Sequence, residues 1–175
     1  MLYELERHVE TKLGDAAWLE EIRKTGLKRT EYVWDKQYPD QELFQLVAAV
    51  AARTGTSMTA VLEDLGEAMV PAMLRVYSVL IDPKWTLFDF LLNTELVIHS
   101  AVRIHHPDSR PPVIRVDRTA PAAVRITYRS GRRLCAVARG IVRGAAAHYG
   151  VAVEMTDDAC MLRGDPECVL TVRGK

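Results

Sequence analysis

The residue with the clearest capacity for chemistry is His99, set in the stretch Phe88 to Val102 among Leu92, Leu96, Val97, Ile98 and Val102. Apolar neighbours desolvate an imidazole, which disfavours its charged form and keeps a lone pair available for a metal. A core histidine satisfied by a backbone carbonyl fits the same pattern. A second group is Tyr128-Arg129-Ser130-Gly131-Arg132. If Tyr128 ends a strand, two-residue alternation turns Tyr128 and Ser130 to one face. Arg132, expected at the start of the following helix, would then join two hydroxyls and free backbone N–H groups around an anion such as a carboxylate. A plain strand-to-helix turn with a surface arginine is the alternative. Met69, Val70, Met73, Val137 and Ile141 are apolar and carry no donor, which suits either a pocket lining or core filling. Glu95, His99 and His106 follow a spacing that could hold a mononuclear metal on one helix face, whereas His105, His106 and His148 also suit solvated helix ends.

Other chemistries are disfavoured. No G-x-S-x-G elbow, Walker loop or H-E-x-x-H run is present, so no enzyme class is indicated. Lys plus Arg number 23 and Asp plus Glu number 23, which leaves no global field for nucleic acid or an anionic membrane. Charges at Glu4, Glu6, Arg7, Glu10 and Lys12 interrupt any secretory h-region, and no segment has the roughly 20 apolar residues of a membrane span. Cys135, Cys160 and Cys168 are an odd set without CxxC spacing, which argues against a disulfide framework or a four-cysteine zinc site. Cytoplasmic residence is the expectation, and Cys168 is expected to pack as a small hydrophobe.

These groups need elements to hold them, and the pattern changes near Pro107. Before it, helical periodicity recurs: Leu2 to Leu13 stopping at Gly14; Ala16 to Lys24 with Asp15 as N-cap; Gln41 to Arg53 stopping at Gly55; a helix from Ser57, interrupted at Pro71; and Thr86 to Ile104. After it, Val113 to Val116 and Ala123 to Tyr128 alternate around a break at Asp117 to Pro121, which reads as a hairpin. Leu134 to His148 reads as a helix, and Val151 to Met155 and Met161 to Val172 as two or three short strands with Gly164-Asp165-Pro166 as a turn. The expectation is one α+β domain over residues 1–175. A helical lobe (about 1–106) packs against an antiparallel sheet lobe with an inserted helix (about 107–175), leaving a ligand crevice between them.

Taken together, the histidine in an apolar helix and the Y-x-S-x-R triplet 29 positions later resemble the H-NOX family, the haem nitric oxide/oxygen-binding domains of bacterial sensors and of soluble guanylate cyclase. The early LGDAAWLEEIRKTGL and ARTGTSMTAVLEDLG stretches look like that family's opening helices. The resemblance implies haem b with His99 as the iron ligand and Tyr128, Ser130 and Arg132 on the propionates. It further implies that Pro112 presses on the porphyrin and that Val70, Met73, Val137 and Ile141 line the distal side. Val137 stands where oxygen-binding members carry a tyrosine, so nitric oxide and carbon monoxide are the expected ligands. Release of His99 would carry the signal to a partner such as a histidine kinase or a cyclic-dinucleotide enzyme. Against the family's L-D-x-L-H spacing, FLLNTELVIH holds one residue too many, which on a regular α-helix turns His99 by about 100°. Gly164-Asp165-Pro166-Glu167-Cys168 is similar to the vinyl-reductase-like domains, and a haem-free binding or interaction module of either fold stays open as the alternative.

Overall fold

The computed structural model describes residues 1–105 and 109–175, so His106 and the boundary expected at 106–107 lie outside the described residues. Four helices open the chain: α1 (Leu2–Leu13), α2 (Asp15–Thr25), α3 (Asp40–Thr54) and α4 (Met58–Val76). Their ends follow elementary capping rules. Gly55 closes α3 in the left-handed region at φ 66°, and the Ser57 side chain accepts the Ala60 N–H to start α4. Asp15 is the first residue of α2 rather than its cap, because Gly14, at φ 86°, takes that position.

Pro71 does not interrupt α4, which runs on to Val76. A proline there deprives the Glu67 carbonyl of its usual donor. That carbonyl lies against Gly144 of a neighbouring helix, where only a glycine leaves it room.

A 3-10 turn (Ser78–Leu80) leads to α5 (Leu87–Asn93), which begins with a capping box between Thr86 and Asp89. A π-turn over Thr94–His99 follows, and then α6 (Ser100–His105). One i→i+5 turn takes up one extra residue in a helix. The spare residue counted before His99 is therefore absorbed locally.

The second half holds β1 (Val113–Ala120), β2 (Ala123–Arg129), α7 (Cys135–His148), β3 (Val153–Ala159) and β4 (Cys168–Gly174). Among the described residues the strands form one antiparallel sheet in the order β1-β2-β4-β3. The fold is the expected α+β arrangement, with a helical bundle against an antiparallel sheet that carries inserted helices. Strand limits differ from the sequence reading at several points, and β3 covers Val153–Ala159 where Val151 to Met155 was expected. Asp117 to Ala120 continue β1, because Asp117 pairs opposite Arg125 while Arg118 is tied to Asp89 and to the Pro121 carbonyl. Met161 to Arg163 form a 3-10 turn instead of a strand, closed by Gly164 at φ 99° and by Asp165, which accepts the Cys160 N–H at 2.7 Å.

Among the described residues, burial divides the apolar side chains into three clusters. One fills the helical lobe around Leu5, Trp18, Leu43, Leu46 and Leu65. Another lies under the sheet around Leu87, Phe90, Ile98, Val124 and Val172. The smallest joins Tyr128, Cys135 and Cys168. Helix α7 contributes to all three, through Val137, Val142 and Cys135 respectively. Each large side chain so buried stabilises the fold by about 1.5–3 kcal/mol, and α7 therefore ties the lobes together.

Candidate metal and anion site

His99 ends the π-turn with its side chain 16% exposed. Its Nδ1 lies 2.8 Å from Glu95 Oε2. The partner of the imidazole is thus a carboxylate, not the backbone carbonyl that the sequence reading offered. The same Oε2 accepts the Ile114 N–H at 3.2 Å, and Oε1 accepts from Arg103 at 2.8 Å. Burial alone would raise the Glu95 carboxyl, but the hydrogen bonds from His99, Arg103 and Ile114 outweigh it and hold the group below its ordinary value. A neutral imidazole that donates its Nδ1–H to a carboxylate carries its lone pair on Nε2. Among the described residues no hydrogen bond or ion pair uses that Nε2. This donor chemistry fits a haem iron that takes one neutral imidazole.

The Tyr128 segment is built differently from the expectation. Strand β2 ends at Arg129, and the turn Ser130–Arg133 separates it from α7, whose first residue is Cys135. Arg132 therefore sits in the turn, not at the helix start. Ser130 Oγ accepts the Arg132 N–H at 3.2 Å. The Arg132 guanidinium meets Asp40, the first residue of α3, with Nε at 2.7 Å and Nη2 at 2.5 Å from Oδ1. Its fork is thus presented to a carboxylate, the group expected there, but one supplied by this chain. Tyr128 is buried, and desolvation raises its phenol, while Ser130 and the Leu134 backbone beside it act in the opposite direction.

Through Ile114 the two groups are neighbours. Ile114 donates to Glu95, pairs across the sheet with Tyr128, and packs in the Tyr128 cluster. Pro112, half-buried, lies two residues before it. The four apolar positions divide between other environments. Val137 belongs to the helical-lobe core with Ile141 against it, whereas Met73 packs on the core beneath the sheet. Val70 is buried where α4 meets α7, its Cγ2 only 2.7 Å from where a Cβ on Gly144 would stand. Among the surface hollows, one of about 480 Å³ includes His8, Glu67, Val70 and His148, and one of about 520 Å³ on the outer sheet face includes Arg115, Arg125 and Arg173. Neither is lined by His99 or Arg132.

Sequence reasoning missed a further constellation. The thiols of Cys135, Cys160 and Cys168 lie within 4.8 Å of one another, and among the described residues no other group of His, Cys, Asp or Glu gathers in this way. Cys168 does more than fill space, since its Sγ accepts the Met161 N–H at 3.2 Å. Burial and the adjacent thiols push Cys135 up to about 12. Burial opposes ionisation of Cys160 too, yet the Leu162 backbone and the two thiols bring it below its ordinary value. Three thiols this close would, once deprotonated, make a soft donor set. No CxxC spacing announces it; only the pairing of Tyr128 with Cys168 and the 3-10 turn after Cys160 bring the three together.

No curated protein matches the chain. Solved structures do. An H-NOX protein from S. oneidensis in the Fe(II)NO ligation state is 26% identical, with 99% of this chain and 97% of that one covered at a TM-score of 0.91. An H-NOX domain from Shewanella oneidensis in the Fe(II)CO ligation state is also 26% identical, covering 99% and 96% at 0.88. An Fe(II) unliganded H-NOX protein from K. algicida, at 21% identity, shares the fold over 98% and 93% at 0.87. The model of the family described as Haem-NO-binding matches residues 1–157. A match over that much of the chain leaves one conclusion: the protein belongs to the Haem-NO-binding, or H-NOX, family, and is a sensor module rather than an enzyme.

Proposed function

We propose that the chain, as one domain over residues 1–175, senses nitric oxide and carbon monoxide through haem b held by His99. The observation that carries this reading is the His99 imidazole, whose Nδ1 is tied to Glu95 at 2.8 Å and whose Nε2 has no partner among the described residues. Bound there, the haem would supply an iron with one protein ligand and an open position for a gas. Arg132, with Ser130 and Tyr128 beside it, would hold the propionates, which requires its guanidinium to leave Asp40 or share it. Pro112 would press on the porphyrin. Val70, Met73, Val137 and Ile141 offer no hydrogen-bond donor to a bound gas, so discrimination against oxygen follows.

Signalling rests on His99. Its detachment would relax the π-turn, and because Glu95 also holds the Ile114 N–H, the displacement would reach β1 directly. A partner, of the histidine kinase or cyclic-dinucleotide enzyme class by family resemblance, would read that change in the cytoplasm. Among the described residues no helix is long and apolar enough to cross a membrane. One observation favours the haem-free module instead: Arg132 already has a carboxylate partner within the chain. Absorption spectroscopy separates the two readings. Protein supplied with excess haemin should develop a strong Soret band and, once reduced, form no lasting oxygen complex in air. A colourless protein would establish the haem-free reading, and a long-lived oxygen spectrum would contradict the gas assignment.

A further inference from the structure

We infer that Glu95 is the positioning residue that sets how strongly His99 binds the haem iron. The inference rests on the sensor reading above and concerns the same histidine. A carbonyl acceptor on Nδ1 would fix the ring and do little more, whereas a charged acceptor makes a hydrogen bond roughly twice as strong. By drawing the Nδ1 proton, the carboxylate leaves more electron density on Nε2 and makes it a better donor to iron. The geometry suits that task. Glu95 Oε2 stands 2.8 Å from Nδ1, and the carboxylate is pinned by the Ile114 N–H from β1 and by Arg103 from α6. Both residues belong to one π-turn, so the acceptor travels with the imidazole.

Arg103 supplies an internal control. Its guanidinium contacts the other oxygen, Oε1, at 2.8 Å and withdraws charge from the carboxylate. Glu95 and Arg103 therefore act on the iron bond with opposite signs. A stronger bond favours the ferric state and raises the pull that a sixth ligand must exert before His99 lets go.

The experiment compares haem-loaded wild type, Glu95→Gln and Arg103→Leu, by the iron–histidine stretching frequency in resonance Raman spectra and by the midpoint potential. Glu95→Gln should lower the frequency and shift the ferric/ferrous equilibrium toward ferrous by roughly tenfold, which is about 59 mV for one electron. Arg103→Leu should raise the frequency and shift the equilibrium the other way, by less. Unchanged values in both variants, or movement in the same direction, would overturn the inference and leave the sensor reading intact. Failure of the wild type to take up haem overturns both.

Discussion

Two contacts hold the lobes of this protein in opposite ways. Between α4 and α7 the backbones themselves touch: a Cβ on Gly140 would stand 1.9 Å from the Glu63 carbonyl oxygen, and one on Gly66 would stand 2.2 Å from that of Val137. Around the close approach Arg139 and Arg143 reach Glu63, and Arg143 also reaches Glu67. The His99 turn instead bonds to β1 through the Glu95 carboxylate, which accepts the Ile114 N–H besides serving His99 and Arg103, with Ile98 of the same turn packed into the core under the sheet. Close-packed backbones have one arrangement, while a few polar bonds can be broken and remade. The contrast supports the signalling proposed above, in which the α4–α7 side would be a fixed frame and the His99 side the moving element.

The largest effect should come from filling the frame. Gly140→Ala forces two helix backbones apart and should destabilise the protein by about 3 kcal/mol in chemical denaturation. In a helix interior without such a neighbour, the same change would stabilise by about 1 kcal/mol. A neutral or stabilising outcome would therefore remove the frame from the account. Gly66→Ala should behave alike.

A smaller effect belongs to the moving side. Glu95→Gln removes charge from three hydrogen bonds that are only partly buried, and should cost about 1–2 kcal/mol. Its local signature is sharper than its global one. The Ile114 amide, which donates to that carboxylate, should exchange with solvent faster, while amides near Gly140 stay protected. Equal loss of protection on both sides would mean that the two contacts form a single cooperative unit.

Smaller still are two pH effects of opposite sign. In the helical lobe, burial raises the Glu6 carboxyl despite the Tyr32 N–H that it accepts. A carboxyl raised by folding binds its proton more tightly when folded, so stability falls as pH rises from the unfolded value through the folded one. Glu6→Gln should remove that fall. At the start of α5, the Thr86 side chain and backbone, with help from Arg118, lower Asp89. Its contribution is complete above the unfolded value and is lost as pH drops through the folded one, so Asp89→Asn should flatten the acid limb. Denaturation midpoints between about pH 3 and pH 6 would read both, and a shared direction would contradict the assignment.

Much of the frame was legible in the sequence because its signals are local. The stripe through Leu43, Leu46, Val47 and Val50, the stop at Gly55 and the cap at Ser57 each announce themselves within a few residues. The small-residue pattern of Gly140 and Gly144 marks α7, though not the helix it touches. The site was legible only in part. His99 and the Tyr128 triplet stood out by type and spacing, and Glu95 was legible as a neighbour of His99 on one helix face, but as a co-ligand of a metal; that it instead binds Nδ1 while holding the Ile114 N–H depends on a π-turn and on β1 crossing beside it. Asp40, far earlier in the chain, meets Arg132 only through tertiary packing. The three thiols escaped for the same reason: their convergence is set by sheet register, which a count of cysteines does not contain.

The most direct measurement is the absorption spectrum of reduced, haem-supplied protein, wild type beside His99→Gly. Wild type should carry an intense Soret band, and His99→Gly should lose most of it, with recovery when free imidazole is added to fill the vacated ligand position. An equally intense band in both proteins, unmoved by imidazole, would contradict the assignment of residue 99 as the iron ligand.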